Sequence, residues 1–287
     1  MRIHHLSCGT MCPVGGRLFY GPRQSPDLRR LVCHCLLIET DAHGLVLVDT
    51  GLGLRDVREP RTRLSPFFLY TNNIKLREEE TAVRQVERLG FEAADVRHIV
   101  LTHLDFDHAG GIEDFPGAAV HVLAAELDAA RNRRQGFIAR NRYRPRQWDG
   151  DIAWRPREIA ADGEPWFGFD AVRGLDGLPP EILLVPLVGH TWGHAGVAVS
   201  GPGGWLLHAG DAYFYQDELN DTAPSAPPGV RGYQSMMEVD RAARLRNQDR
   251  LRGLVRDHGG EVRVLCGHDA AELAAFHGAR SAGARPE

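Results

Sequence analysis

The densest chemistry in the chain lies in His103-Leu104-Asp105-Phe106-Asp107-His108, four side chains able to ligate a metal within six residues. Two carboxylates and two imidazoles crowded into one turn carry a desolvation and repulsion cost that a divalent cation removes. A loop that only capped a helix would need one such residue. Nitrogen and oxygen donors together suit zinc, iron or manganese. Three more positions follow the same pattern: His190 in Gly189-His190-Thr191-Trp192-Gly193-His194, Asp211 after Gly210, and His268 after Gly267. Each is preceded by a glycine, which lets a backbone turn sharply and come close to a crowded site. Any one of them alone would be a weak signal, and together they predict a metal centre.

The elements that must carry these residues are legible as apolar runs. The metal-ligating types come directly after runs 99–101, 182–187, 205–207 and 262–265, and further runs occur at 31–38, 45–48 and 120–123. All read as buried strands. Helices are predicted over 77–89, where Ala82, Val83, Val86 and Leu89 share a face, over 237–256 with Gly253 interrupting, and from Asp269, with Glu272 completing a capping box. Strands and helices mixed along the whole length imply an α/β or layered α+β domain, taken as one unit over 1–287. A strand followed by aspartate occurs twice, at Asp49 and Asp211, as in two similar halves. Residues 131–157 hold nine arginines against two aspartates and read as an insertion or lid, and 215–233 as a second long loop. The arginines 131, 133, 134, 140, 142, 144 and 146, with Phe137, Tyr143 and Trp148 between them, either form a solvated face or grip an anionic substrate.

Composition narrows the class. With 43% apolar and 25% charged residues and a net charge of -4, the chain is an ordinary globular one with no global attraction to nucleic acid or an anionic membrane. No apolar run approaches the length of a membrane span, and the first seven residues lack the apolar stretch of a secretory signal, so a cytoplasmic location is expected. Cys8, Cys12, Cys33, Cys35 and Cys266 lack zinc-finger spacing and are expected to be reduced, mostly buried thiols.

The whole arrangement resembles the metallo-β-lactamase superfamily, whose signature is a His-x-His-x-Asp-His turn followed by separate His, Asp and His ligands. It looks most similar to N-acyl homoserine lactonases through Cys33 to Thr40, Val48-Asp49-Thr50-Gly51, Leu89-Gly90-Phe91, the motif from His103 to Gly111, Gly189 to His194 and Gly267-His268-Asp269. The resemblance implies a four-layer αββα sandwich with the metal site at the edge between two sheets. It also implies two divalent ions, zinc first and iron or manganese next. One would lie at His103, residue 105 and His190, the other at Asp107, His108 and His268, with Asp211 bridging. His194 and Asp49 would orient ligands by hydrogen bonds. The implied activity is hydrolysis of an ester, lactone or related acyl bond of a small-molecule substrate by a metal-bound hydroxide, with Asp107 and Asp211 as catalytic residues. Two departures stand out. Asp105 replaces the second histidine of the motif, which adds negative charge and favours harder metals. Phe214 replaces the tyrosine that such lactonases carry three residues after the bridging aspartate, leaving Tyr213 and Tyr215 as the neighbouring hydroxyls. The alternatives are a diiron redox protein, since flavodiiron proteins look similar at position 105, a phosphodiesterase or RNA-processing hydrolase of the same fold, and a metal-binding module without catalysis.

Overall fold

Apolar runs this continuous need cover on both faces. The computed structural model describes residues 1–22, 24–132, 135–157, 164–171 and 175–283, and of 164, 171 and 277–283 the backbone alone. Strands β1 (Arg2–Met11), β2 (Leu31–Glu39), β3 (Leu45–Val48), β4 (Ile74–Lys75), β5 (Val96–Val100), β6 (Ala119–Leu123) and β7 (Ala153–Arg157) form one sheet in the order β4-β1-β2-β3-β5-β6-β7. A hairpin of β8 (Glu164–Trp166) and β9 (Phe169–Ala171) leads to a second sheet, β10 (Ile182–Pro186), β11 (Ala195–Gly201), β12 (Gly204–His208) and β13 (Val262–Leu265), in that order.

Side chains alternate between two apolar surroundings, as the two-residue period of a strand requires. Leu36 and Ile38 of β2 and Val46 and Val48 of β3 meet Ile182, Leu184, Val197 and Leu206 between the sheets. Their neighbours Leu37, Leu45 and Leu47 turn outward onto Val83 and Val86 of the helix Ala82–Arg88. On the other side Leu183, Val185 and Leu207 pack under Leu251 and Leu254 of the helix Arg241–His258. Helix, sheet, sheet and helix make the αββα sandwich. β3, β5, β6 and β7 run parallel, as do β12 and β13. Among the described residues no helix is long and apolar enough to cross a membrane.

The seven expected strands are present, each within a few residues of its run. β1 escaped notice because His4, His5 and Ser7 break its apolar pattern, and β11 because it is built of Ala, Gly and Val with no long side chain. The helix expected over 77–89 starts at Ala82. Before it lies a short 3-10 turn, Glu78–Glu80, and the Thr81 hydroxyl donates to the Glu78 carbonyl at 2.7 Å. The one expected over 237–256 is two helices, Pro228–Met237 and Arg241–His258, parted by Asp240, whose carboxylate caps the second through the Ala243 amide at 2.9 Å. Gly253 does not interrupt it, and 228–233 is helix rather than loop. Asp269 does cap the helix Ala270–Gly283, accepting from the Ala271 amide at 2.7 Å. Glu272 does not close the box, because its carboxylate accepts from the Cys266 amide and the Tyr213 hydroxyl, both at 2.8 Å. All five cysteines are free, and all but Cys12 are buried.

Much of the described part of 131–157 is packed into the domain. β7 completes the edge of the large sheet, and Arg142, Tyr143, Gln147 and Trp148 are buried. Gln147 donates to the Phe106 carbonyl at 2.8 Å and to Asp56 at 2.9 Å, and Arg144 donates to the Arg63 carbonyl at 2.9 Å. Arg133 and Arg134 lie outside the described residues. Arg140, Arg144 and Arg146 line, with Arg61 and Tyr143, a cavity of about 800 Å³ into which none of the metal-ligating side chains projects.

Candidate metal centre

β5, β10, β12 and β13 end at one edge of the sandwich, and the polar residues after each meet there. Two glycines show why the turns are tight. Gly210 has φ 53°, and a Cβ on it would stand 2.6 Å from His194 Nε2. A Cβ on Gly267 would stand 3.0 Å from Asp211 Oδ1 and 3.1 Å from the His108 ring. The result is two clusters of donors, each with its ligand atoms within 4.8 Å of one another: His103, Asp105, His190 and Asp211 in one, and Asp107, His108 and His268 in the other. Asp211 joins them, 3.3 Å from His108 Nε2 and 3.1 Å from His268 Nε2. None of the seven is more than 5% exposed.

The outer ring nitrogens of His103, His108 and His268 are pinned, whereas His190 Nδ1 has no hydrogen-bond partner among the described residues. Asp49, at the end of β3 with φ 54°, accepts from His108 Nδ1, the Thr102 amide and the Thr102 hydroxyl, all at 2.8 Å. The Thr102 hydroxyl in turn lies 2.9 Å from His103 Nδ1, and His268 Nδ1 donates to the Val32 carbonyl at 2.7 Å. Each of these bonds places a proton on Nδ1 and turns Nε2 inward, the atom that would meet a cation. His194 Nδ1 donates to the Leu187 carbonyl at 2.9 Å, and its Nε2 accepts from the Asp211 amide at 2.8 Å, so it orients the aspartate. Glu126, which the sequence did not mark, is buried and accepts from the Leu104 amide at 3.0 Å and the Gly193 amide at 3.1 Å, tying two of the loops together.

The two clusters differ in how a cation would fit. In the second, His108 Nε2 and Asp211 Oδ1 are buried without a hydrogen-bond partner, and the set of two imidazoles and two carboxylates suits a divalent ion. Burial would lower the His108 ring, but the charges of Asp211 and Asp49 outweigh it and hold it well above its usual value. The first cluster already contains a cation. Arg142, 1% exposed, donates from Nε and Nη2 to the two oxygens of Asp105, both at 2.6 Å, and its Nη2 is 2.7 Å from His190 Nε2. Burial opposes ionisation of Asp105, yet the Arg142 charge and then His103 hold its carboxyl well below the usual range. Burial, followed by the Arg142 charge, pushes His190 down to about 4.

The hydroxyls of the two tyrosines beside Phe214 are engaged elsewhere. The Tyr213 hydroxyl is turned into the core against Glu272, and that of Tyr215 lies 3.3 Å from Gln24. A third tyrosine, Tyr233 of the helix Pro228–Met237, comes beside Phe214. Its ring packs on Phe214 at 5.8 Å, and Phe214 in turn lies 4.7 Å from the His268 ring. Asn72 Nδ2 donates to the Tyr233 oxygen at 3.0 Å, and burial, then the Asp107 charge, push the hydroxyl well up, so it remains a protonated donor. No sequence signal joined residue 233 to the motif, because it reaches the site through a helix the apolar pattern missed.

Residues 28–252 match the Metallo-beta-lactamase superfamily, a span that holds every donor except His268. A probable metallo-hydrolase of Mycobacterium tuberculosis is 42% identical over 277 residues, covering 94% of this chain and 80% of that protein. An N-acyl homoserine lactonase of Bacillus cereus is 25% identical over 221 residues, 77% of each chain. An N-acyl homoserine lactone hydrolase solved with N-hexanoyl-L-homoserine at its catalytic metal center shares the fold, with a TM-score of 0.69 over 95% of both chains at 23% identity. Together with the converging strand ends, these place the chain in the metallo-beta-lactamase superfamily, among its metallo-hydrolases.

Proposed function

We propose that the protein hydrolyses an ester, lactone or related acyl bond of a small molecule, using a divalent metal held by Asp107, His108, His268 and Asp211. The observation that carries this reading is the pair of inward-facing buried atoms, His108 Nε2 and Asp211 Oδ1, that have no hydrogen-bond partner, beside His268 Nε2. When bound, a divalent ion supplies Lewis acidity toward an acyl carbonyl and lowers the pKa of water. The remaining work falls to the chain. Asp49 and the Val32 carbonyl hold His108 and His268 in the tautomer that presents Nε2. Asp107, whose carboxyl burial pushes up, accepts and returns the proton of the attacking water. Tyr233 donates its hydroxyl to the oxygen on which charge develops, in the place left by Phe214. The lactonase named among the relatives supports the acyl-bond class.

The test is metal content by mass spectrometry on protein purified without added metal, run with a panel of lactones, esters, thioesters and phosphodiesters. Turnover of an acyl substrate that is lost with the metal and returns with it is expected. Full turnover by metal-depleted Asp211→Ala protein, or turnover of phosphodiesters alone, overturns the assignment.

A further inference from the structure

We propose that the guanidinium of Arg142 occupies the place of one of the two ions that the motif implies, so that the protein binds a single divalent cation, at Asp107, His108, His268 and Asp211. The inference rests on the metallo-hydrolase reading of the same centre and specifies its metal count.

The argument is a census of lone pairs. Arginine has five N–H donors and no acceptor. In Arg142, Nε–H goes to Asp105 Oδ1, Nη1 to the carbonyls of His190 at 3.2 Å and Met237 at 2.5 Å, and Nη2 to Asp105 Oδ2 and His190 Nε2. All five donors are used. Because Nη2 only donates, His190 Nε2 must accept, and the lone pair with which this ring would bind a metal is taken. Each oxygen of Asp105 accepts one guanidinium N–H, which keeps a second lone pair on the oxygen but pairs the carboxylate's charge with the arginine. Two of the four donors of the first cluster are therefore engaged, and a divalent ion among them would stand against a fixed positive charge.

The guanidinium cannot easily swing aside, since two main-chain carbonyls and its own burial hold it. In the first cluster His103 Nε2 is left without a partner, one donor against two that the guanidinium engages, whereas in the second no arginine among the described residues intervenes between His108 Nε2, likewise unpartnered, and the shared Asp211. This accounts for Asp105. A histidine there would offer the guanidinium no carboxylate, whereas aspartate forms a two-pronged pair with it, so the departure from the motif and the buried arginine are two halves of one device.

Zinc and cobalt titrations followed by calorimetry, with metal analysis after dialysis and the cobalt absorption spectrum, test this without any substrate. One ion per chain is expected in the unaltered protein. His190→Ala should leave that count and the cobalt spectrum unchanged, while His268→Ala weakens binding by about a hundredfold or more. The double variant Asp105→His with Arg142→Ala should take up a second ion. Two tightly held ions in the unaltered protein, with His190→Ala reducing the count to one, overturn the inference and leave the hydrolase reading standing. No bound ion at all overturns both. If the double variant fails to fold, the His190→Ala and His268→Ala counts still decide.

Discussion

Asp49 satisfies three donors from a left-handed backbone position, and two of them, His108 Nδ1 and the Thr102 hydroxyl, share one oxygen. Aspartate and asparagine tolerate that conformation through local hydrogen bonds, so Asp49→Asn tests the carboxylate without straining the turn. The amide loses the charge that holds His108 in place, and metal affinity or activity should fall about 10- to 100-fold, read by calorimetry and initial rates. Tyr233→Phe preserves the ring against Phe214 and removes only the hydroxyl. The expected result is a loss of about tenfold or more in kcat with KM little changed, since the donor acts on charge that develops during the reaction. An equal loss through KM alone would assign Tyr233 to substrate binding instead. That His103, Asp107, His108, Asp211 and His268 would be gathered in one place was legible from residue type and spacing. Tyr233 and Glu126 were not, because a single tyrosine or glutamate on a helix has no pattern that distinguishes it from a surface residue.

At the level of elements, the loops are held by contacts that cross between them. Glu126, on the helix Ala124–Asn132, gives one oxygen to the motif loop and the other to the loop that carries His190. Glu126→Gln leaves one acceptor where two are needed, so a buried amide goes unmet. The expected cost is about 1–3 kcal/mol in urea unfolding, with weaker metal binding as the loops part. β5 and β6 carry another such contact, His98 Nδ1 to His121 Nε2 at 3.1 Å. Burial, then the neighbouring His98, push His121 down to about 4 from an ordinary value of 6.5. Between those values the unfolded chain binds a proton that the folded chain does not. The contribution of His121 is therefore whole above pH 6.5 and lost as pH falls toward 4, by up to about 1.4 kcal/mol per pH unit. His121→Gln should flatten that part of the stability curve, as measured by urea unfolding at pH 4.5, 5.5 and 7. An unchanged slope would place the acid sensitivity elsewhere.

For the molecule as a whole, the sandwich places the site by stacking two sheets whose strands end at the same edge. The strand runs announced the strands, because both faces of each sheet are covered and the buried segments are continuously apolar, while the stacking and the shared edge were implied by the family resemblance. The arginine-rich segment gave the opposite result. Read as an insertion or lid with a solvated or substrate-gripping arginine face, it forms the edge strand β7 and supplies Arg142 to the interior, because a guanidinium with all its donors matched and a carboxylate opposite can be buried where an unpaired charge could not.

The sequence by itself determined the buried strands and the motif, since apolar periodicity, glycine and ligand types act locally and survive being read in one dimension, and its resemblance to the metallo-β-lactamase superfamily implied the layers and the edge. Only the tertiary structure decided which donors remain free. Arg142 meets Asp105 across 37 residues, Met237 across 95 and His190 across 48, and no local pattern records such a meeting. A hydrogen bond uses up a lone pair only when the partner is in place, so the fold, and not the spacing of the motif, settles which side chains are left to receive a metal.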